Sequence, residues 1–386
     1  MPLWRLPNQL SDVLPPEARR LELLRRSALD TLRTWGYDLV TPPLLEQLGA
    51  LTTGTAQDLD AVMFKTVDPA GGGLLGLRAD LTPQVARIDA HLLNRQGVTR
   101  LCYCAPALRS TAADAFAQRE LLQLGAELFG HAGIEADIEI QDLALHLLAS
   151  LGIATPTLAL SHGGVLDAVF TAHPALLSQQ AAILAALRSK NRSDLSALCA
   201  AFDPRAASVL HQIATSYGTA ASLSSLDFAS YPAAAQALAV LRQLAARAEL
   251  QGVRAVIDLA DLQGFGYHTG VQFAVYLPGL ASSMLRGGRY DAVGTVFGRA
   301  RAATGFSFDA RALARYRDEQ AAERKPRLAV HAPWLPDDAA LSKRIAELRA
   351  QGLVVVCSLG ASSFEDGLSY TQALHLVQGE WVLQST

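Results

Sequence analysis

Two neighbouring stretches alternate between polar and apolar residues, and they constrain the fold more than any other part of the chain. From Leu101 to Arg109 the odd positions share one face. From residue 119 onward Arg119, Leu121, Gln123, Gly125, Glu127 and Phe129 share a face, while Leu122, Leu124, Ala126 and Leu128 take the other. A period of two defines extended strands whose side chains alternate between the two sides of a sheet. The second strand therefore turns a greasy face to covering helices. Its other face carries Gln123 and Glu127 with Gly125 between them, where a missing side chain leaves space for an approaching group. With Arg109 at the end of the first strand, this face reads as the floor of a ligand site rather than a solvated outer surface.

Helical spacing flanks the pair. Leu21, Leu24, Ala28, Leu32 and Trp35 recur at three and four after Pro15-Pro16, with Gly36 as the stop. Tyr37 to Leu45 reads as a short strand interrupted by Pro42-Pro43. Thr82-Pro83 reads as an N-cap and first helical proline, with Val85, Ile88 and Leu92 facing inward. A further helix from Ala136 places Ile140, Leu143, Leu147 and Leu151 on one stripe before Gly152. Residues 166–250 turn Ala- and Leu-rich, broken at Asp203-Pro204 and Tyr231-Pro232, as an all-helical insertion would be. Strands resume at Ala255–Ile257 and Val271–Tyr276, and Gly287-Gly288 reads as a tight turn. Beyond Lys325-Pro326 a strand, a helix (337–350), a strand and a tail make a small α/β unit of residues 325–386. The expected organisation is a core of residues 1–165 and 251–320, the helical insertion of residues 166–250, and the C-terminal unit.

Composition excludes several classes. The chain has 33 Lys and Arg against 36 Asp and Glu, so it lacks the basic excess of a protein held mainly by phosphates, and nucleic acid is not an expected partner. No apolar run approaches the ~18 residues a membrane helix needs, and the N-terminus lacks signal-peptide order. Four cysteines suit a reduced, cytoplasmic setting; Cys102 and Cys104 read as core, and neither a metal nor a cofactor is expected.

Several motifs then converge on one resemblance. Gly36-Tyr37-Asp38-Leu39-Val40-Thr41-Pro42-Pro43, Leu77-Arg78-Ala79-Asp80-Leu81-Thr82, the strand pair meeting at Arg109 and Arg119–Gln123, residues 261–270 and Gly287-Gly288-Arg289-Tyr290-Asp291 resemble class II aminoacyl-tRNA synthetases, specifically the histidyl-tRNA synthetase catalytic domain. The resemblance implies an α+β fold, a class II synthetase-like antiparallel sheet flanked by helices, with a homodimer through the first of these motifs and an amino-acid pocket. Its residues would be Asp80, which takes an α-ammonium or serves only as a cap, Thr82, Arg109 on a carboxylate, Gln123 and Glu127 as pocket lining or internal network, and Tyr267 and His268 around an imidazole or as a buried pair.

The departures weigh against adenylation. That chemistry collects guanidiniums around the ATP α-phosphate, because preorganised charge there is the largest catalytic term. Gln263 stands where the family has its histidine-specific Arg. Ala312 stands where the third motif has its ATP-binding Arg, and Asp309 replaces a Gly. Losing two guanidiniums worth about 3–4 kcal/mol each would slow the reaction by several orders of magnitude. The segment from Lys325 carries five Lys and Arg against six Asp and Glu, so it would not bind a phosphate backbone as an anticodon domain does; it reads as a reduced relic of one.

Leu6-Pro7 with Asp12-Val13-Leu14-Pro15, Leu77–Gln84 and Thr269–Tyr276 are similar to a second family with the same fold, the regulatory subunits of short-form ATP phosphoribosyltransferase. The resemblance implies a non-catalytic subunit that activates a short catalytic subunit in a hetero-octamer of four plus four, with histidine as feedback effector at this pocket or at an interface. An active histidine-tRNA ligase and a free-standing histidine sensor are the alternatives.

Overall fold

The computed structural model describes residues 4–52, 57–112, 117–200, 202–224, 226, 228–320, 327–359 and 368–386. The chain divides into two compact units, through Asp318 and from Glu319 onward.

The strands of the first unit are β1 (Asp38–Leu39), β2 (Leu45–Gln47), β3 (Phe64–Val67), β4 (Leu74–Leu77), β5 (Thr99–Leu108), β6 (Glu120–Phe129), β7 (Thr157–His162), β8 (Tyr217–Gly218), β9 (Arg254–Asp258), β10 (Val271–Tyr276), β11 (Leu285–Arg289) and β12 (Ala303–Asp309). Nine of them form one sheet in the order β1-β5-β6-β12-β11-β10-β7-β9-β8. From β5 to β7 every neighbour is antiparallel; the β1–β5 and β7–β9 pairs are parallel. β2, β3 and β4 make a separate three-stranded sheet.

The alternation along β5 and β6 does what the sequence pattern implies. Leu124, Ala126 and Leu128 join the large core with helix Pro15–Thr34, through Leu24, Ala28 and Leu32, and helix Ile134–Ser150, through Ile140, Leu143 and Leu147. Leu101, Tyr103, Ala105 and Ala107 belong to a second core on the opposite side. Both helices stop at glycines with positive φ, Gly36 at 82° and Gly152 at 79°, where a side chain would be strained.

The 166–250 segment is helical at Gly163–Ala172, Gln180–Arg188, Arg192–Cys199, Pro204–Thr215 and Pro232–Leu250. Its expected breaks are helix starts: the Asp203 side chain accepts from Arg205 N at 2.8 Å, and Pro232 opens the last helix. It is not wholly helical, because β8 pairs with β9 at the sheet edge. Its apolar residues, among them Val209, Leu238 and Leu241, share one core with the sheet.

Other local expectations need correction. The 37–45 stretch is two strands in different sheets, since Pro42 and Pro43 end pairing and turn their carbonyls to the buried Arg78 guanidinium, at 2.6 and 3.2 Å. Leu81, not Thr82, is the N-cap of helix Thr82–Arg87, and Leu92 is exposed in the π-helical turn that follows. Gly287 and Gly288 lie within β11 rather than in a turn.

The second unit has a four-stranded sheet, β14 (Val355–Cys357), β13 (Arg327–Ala332), β15 (Leu368–Val377) and β16 (Glu380–Ser385) in that spatial order, with helix Ala339–Ala350 on one face through Leu341, Ile345 and Leu348. The expected tail is therefore a β-hairpin: β15 and β16 pair antiparallel from Gln372 to Val377. Among the described residues no helix is long and apolar enough to cross a membrane.

Candidate functional site

The register of the central strands brings small residues into line. Gly125 of β6 lies opposite Ser307 of β12, and Ser307 opposite Arg286 of β11; Glu127 lies opposite Gly305, and Gly305 opposite Gly288. Paired residues point to the same side of a sheet, so this face is hollowed where glycines sit and edged by Glu127, Ser307 and Arg286. A cavity of about 230 Å³ fills the hollow, lined also by Asp80, Thr82, Tyr267, His268, Tyr290 and Phe306. Its volume is below the ~300–1,000 Å³ of drug-sized sites, which suits a ligand no larger than an amino acid.

The glycines are needed for closeness. A Cβ on Gly305 would fall 1.6 Å from Glu127 Oε2, and one on Gly288 would fall 2.7 Å from His268 Cδ2. Gly125 serves a different purpose from the one its sequence position implies. The Tyr103 hydroxyl occupies the space beside it, 2.5 Å from where a Cβ would stand, so Gly125 admits a tyrosine from the neighbouring strand rather than a ligand.

Glu127 is fully enclosed. Its Oε1 accepts from the Tyr103 hydroxyl at 2.9 Å and from Thr82 Oγ1 at 3.1 Å, and its Oε2 accepts from the Tyr290 hydroxyl. Burial pushes the carboxyl up to about 8 against the pull of those three donors. Thr82 explains its failure to cap the helix: its hydroxyl is committed to this cluster.

Asp80 is held from two directions. Its Oδ1 accepts from Thr82 N at 2.8 Å and from Gln123 Nε2 at 3.1 Å, which leaves Oδ2 without a hydrogen bond among the described residues. Gln123 is fully used inside the protein, since it also accepts from Leu81 N at 3.0 Å and donates to Ser307 Oγ at 3.1 Å. It positions Asp80 and does not line the cavity. Tyr267 stacks on Tyr290 with ring centres 5.6 Å apart and meets His268 edge-on at 5.1 Å. Burial lowers His268 to about 4 against the upward pull of a hydrogen bond with the Gly264 backbone, so its imidazole is neutral at pH 7.

Of the residues singled out in the sequence, Asp80, Thr82, Glu127, Tyr267 and His268 come together around the cavity, and Gln123 stands behind them. Arg109 does not line it; its Nε reaches the Ala79 carbonyl at 3.4 Å. Tyr103, Tyr290, Ser307 and Arg286 escaped the sequence reading. Tyr103 was on the correct face of β5, but only the pairing shows that it lies over Gly125. Arg286 and Tyr290 flank Gly287-Gly288, whose turn-like sequence hides the strand Leu285–Arg289.

The positions that depart from adenylating enzymes have their own structural roles. Gln263 is exposed and outside the cavity. Ala312 packs partly buried on the core. Asp309 accepts from Leu122 N at 3.1 Å and Arg311 N at 3.0 Å at the start of helix Ala310–Gln320, and Arg311 pairs with Glu120 at 3.3 Å. A carboxylate thus replaces the glycine, and the nearby guanidinium is already bound by a side chain.

Fold and cavity define the class as histidyl-tRNA-synthetase-like, and the histidyl-tRNA synthetase family matches residues 9–313. The histidyl-tRNA synthetase of Nostoc sp. PCC 7120 shares the fold, with a TM-score of 0.77 at 18% identity over 99% of this chain and 97% of that one. The crystal structure described as an ATP phosphoribosyltransferase regulatory subunit/histidyl-tRNA synthetase from Bacillus halodurans aligns with a TM-score of 0.82 at 25% identity, covering 96% of this chain and 98% of that one. Residues 326–384 match the ATP phosphoribosyltransferase subunit HisZ C-terminal domain. The ATP phosphoribosyltransferase regulatory subunit of Ralstonia nicotianae is 47% identical over 100% of this chain and 98% of its own, and that of Acidovorax sp. strain JS42 is 46% identical over the whole of both. The chain belongs to the family of ATP phosphoribosyltransferase regulatory subunits. It is a member of the regulatory family, not of the catalytic one.

Proposed function

We propose that this chain is the non-catalytic partner of a short-form ATP phosphoribosyltransferase catalytic subunit in the cytoplasm, that it activates that subunit at the first step of histidine biosynthesis, and that histidine in the β6–β12–β11 cavity reverses the activation. The observation that carries the reading is a cavity that keeps Asp80 and Glu127 while Gln263 and Ala312 stand where adenylation requires guanidiniums. Asp80 takes the α-ammonium through its unoccupied oxygen, and Glu127 with the Tyr267–His268 pair faces the side chain. Activation needs this chain to favour the active catalytic conformation, and histidine must reduce that preference. The division of the first unit into a core (1–165, 251–320) and an insertion (166–250), with 325–386 as a reduced anticodon-domain relic, belongs to the same reading.

A homodimer through the 36–43 region underlies the proposed four-plus-four hetero-octamer. The apolar surface there supports it, since Leu39 is 52% exposed and Leu44 44% exposed. The test is phosphoribosyl-ATP formation by the catalytic subunit from the same source, with and without this chain, then with histidine. Activation reversed by histidine is the expected result, and Asp80→Ala should weaken the reversal while leaving assembly intact. Absence of activation, together with histidine-dependent pyrophosphate exchange into ATP by this chain alone, would restore the ligase reading.

A further inference from the structure

Among the described residues lining the cavity, Arg286 is the only Arg or Lys, and neither family motif nor sequence pattern pointed to it. It is on β11 opposite Ser307, two residues from Gly288, and therefore on the hollowed face. Its present partners hold it weakly. Nη1 lies 3.6 Å from Asp261 Oδ2, Nη2 lies 3.5 Å from the Tyr276 hydroxyl, and the side chain is 36% exposed. By contrast Arg289, on the other side of Gly288, is locked to Asp137 by two bonds of 3.0 and 3.1 Å and is 8% exposed. A guanidinium has five donors in a planar fork that matches a carboxylate, and most of the Arg286 fork is uncommitted.

The charges along the cavity are ordered. Asp80 and Glu127 mark one end through β6 and the helix start at Thr82. Arg286 is two strands away from β6 across β12, about 10 Å in backbone spacing, with its long side chain to bridge part of that distance. A group with a cation at one end and an anion at the other fits this order. Gln263, at the position where a synthetase-like site would carry its Arg, is exposed and supplies no charge.

We infer that Arg286 is the carboxylate-binding residue of this cavity, selecting free α-amino acids over amines that lack the carboxyl group. The inference rests on the proposed histidine pocket and adds the residue that reads the ligand's acid end. An arriving carboxylate competes with Asp261 for the same guanidinium. Asp261 begins the loop that carries Tyr267 and His268, so occupancy exchanges a loop contact for a ligand contact.

The experiment is calorimetric titration of the full chain with L-histidine and with histamine, for the wild type, Arg286→Met and Arg286→Lys. A charge-assisted bidentate contact predicts that Arg286→Met weakens histidine about 10- to 100-fold, leaves histamine within about twofold, and is partly rescued by Arg286→Lys. Equal loss of both ligands in Arg286→Met, or unchanged histidine affinity, overturns the carboxylate role while the pocket stands. A wild-type chain that binds neither ligand overturns the pocket reading itself and the inference with it.

Discussion

Glu127→Gln tests the electrostatics of the cavity most directly. The wild-type carboxyl is enclosed, accepts three hydroxyl bonds, and is pushed by burial from its ordinary value of 4.5 up to about 8. Between pH 4.5 and 8 the unfolded chain has released this proton and the folded chain keeps it. The folded state then binds more protons, so stability falls as pH rises. Below 4.5 the contribution is fully present, and above about 8 it has been lost. At ~1.36 kcal/mol per pH unit, a shift of this size amounts to roughly 5 kcal/mol across the window. Gln has nearly the same shape and does not titrate, so the variant should lack this slope. Urea denaturation of both proteins from pH 5 to 9, read as the wild-type minus variant difference, isolates the one group. A difference that declines by about 1 kcal/mol per unit up to pH 8 and then flattens is expected. A flat difference would show that the three hydroxyls hold the carboxylate ionised in the folded state and would refute the burial argument. Saturating histidine should reduce the slope, because a ligand cation nearby favours the ionised form.

Gly305→Ala should abolish histidine binding by calorimetry and destabilise the fold by about 1–3 kcal/mol, since its methyl group would overlap the Glu127 carboxylate. Arg289→Met leaves Asp137 buried without its cation; a loss of about 3–5 kcal/mol in urea denaturation is expected, and a loss under 1 kcal/mol would show that the pair is solvated. Leu39→Asp with Leu44→Asp should shift the chain toward monomer in sedimentation velocity, with the far-ultraviolet circular dichroism unchanged.

The parts of the site that were legible in the sequence are those fixed by short-range periodicity. Gln123 and Glu127 share a strand, so their common face follows from a period of two, and Leu124, Ala126 and Leu128 necessarily face the core. The Asp80–Thr82 segment was legible as a helix start, although its cap was misassigned, because the Thr82 hydroxyl has a better partner 45 residues away in Glu127. A side chain's choice between a local and a distant acceptor is not encoded in spacing.

The same limit explains Gly287-Gly288. Two adjacent glycines read as a turn because turns commonly require them. Within β11 they serve packing instead: a Cβ on Gly287 would meet the Phe273 ring at 2.4 Å, and one on Gly288 the Val271 carbonyl at 2.5 Å. Misreading them hid Arg286 and Tyr290, since a residue's face can be counted only once its strand is recognised. Gly125 was recognised as a space but given the wrong occupant, because only the β5–β6 register places Tyr103 over it.

The sequence by itself determined the strand pair, the flanking helices, the family resemblance and the substitution of Gln263 and Ala312, because each is a property of residues within a few positions of one another. Tertiary structure alone decided which chains of contact close around Glu127, which of Arg109 and Arg286 reaches the cavity, and that Gln123 supports Asp80 rather than a ligand. Those outcomes depend on strand order and register, which join residues as distant in the chain as Gln123 and Ser307, 184 positions apart. No local pattern specifies such pairings; the burial of both sheet faces does.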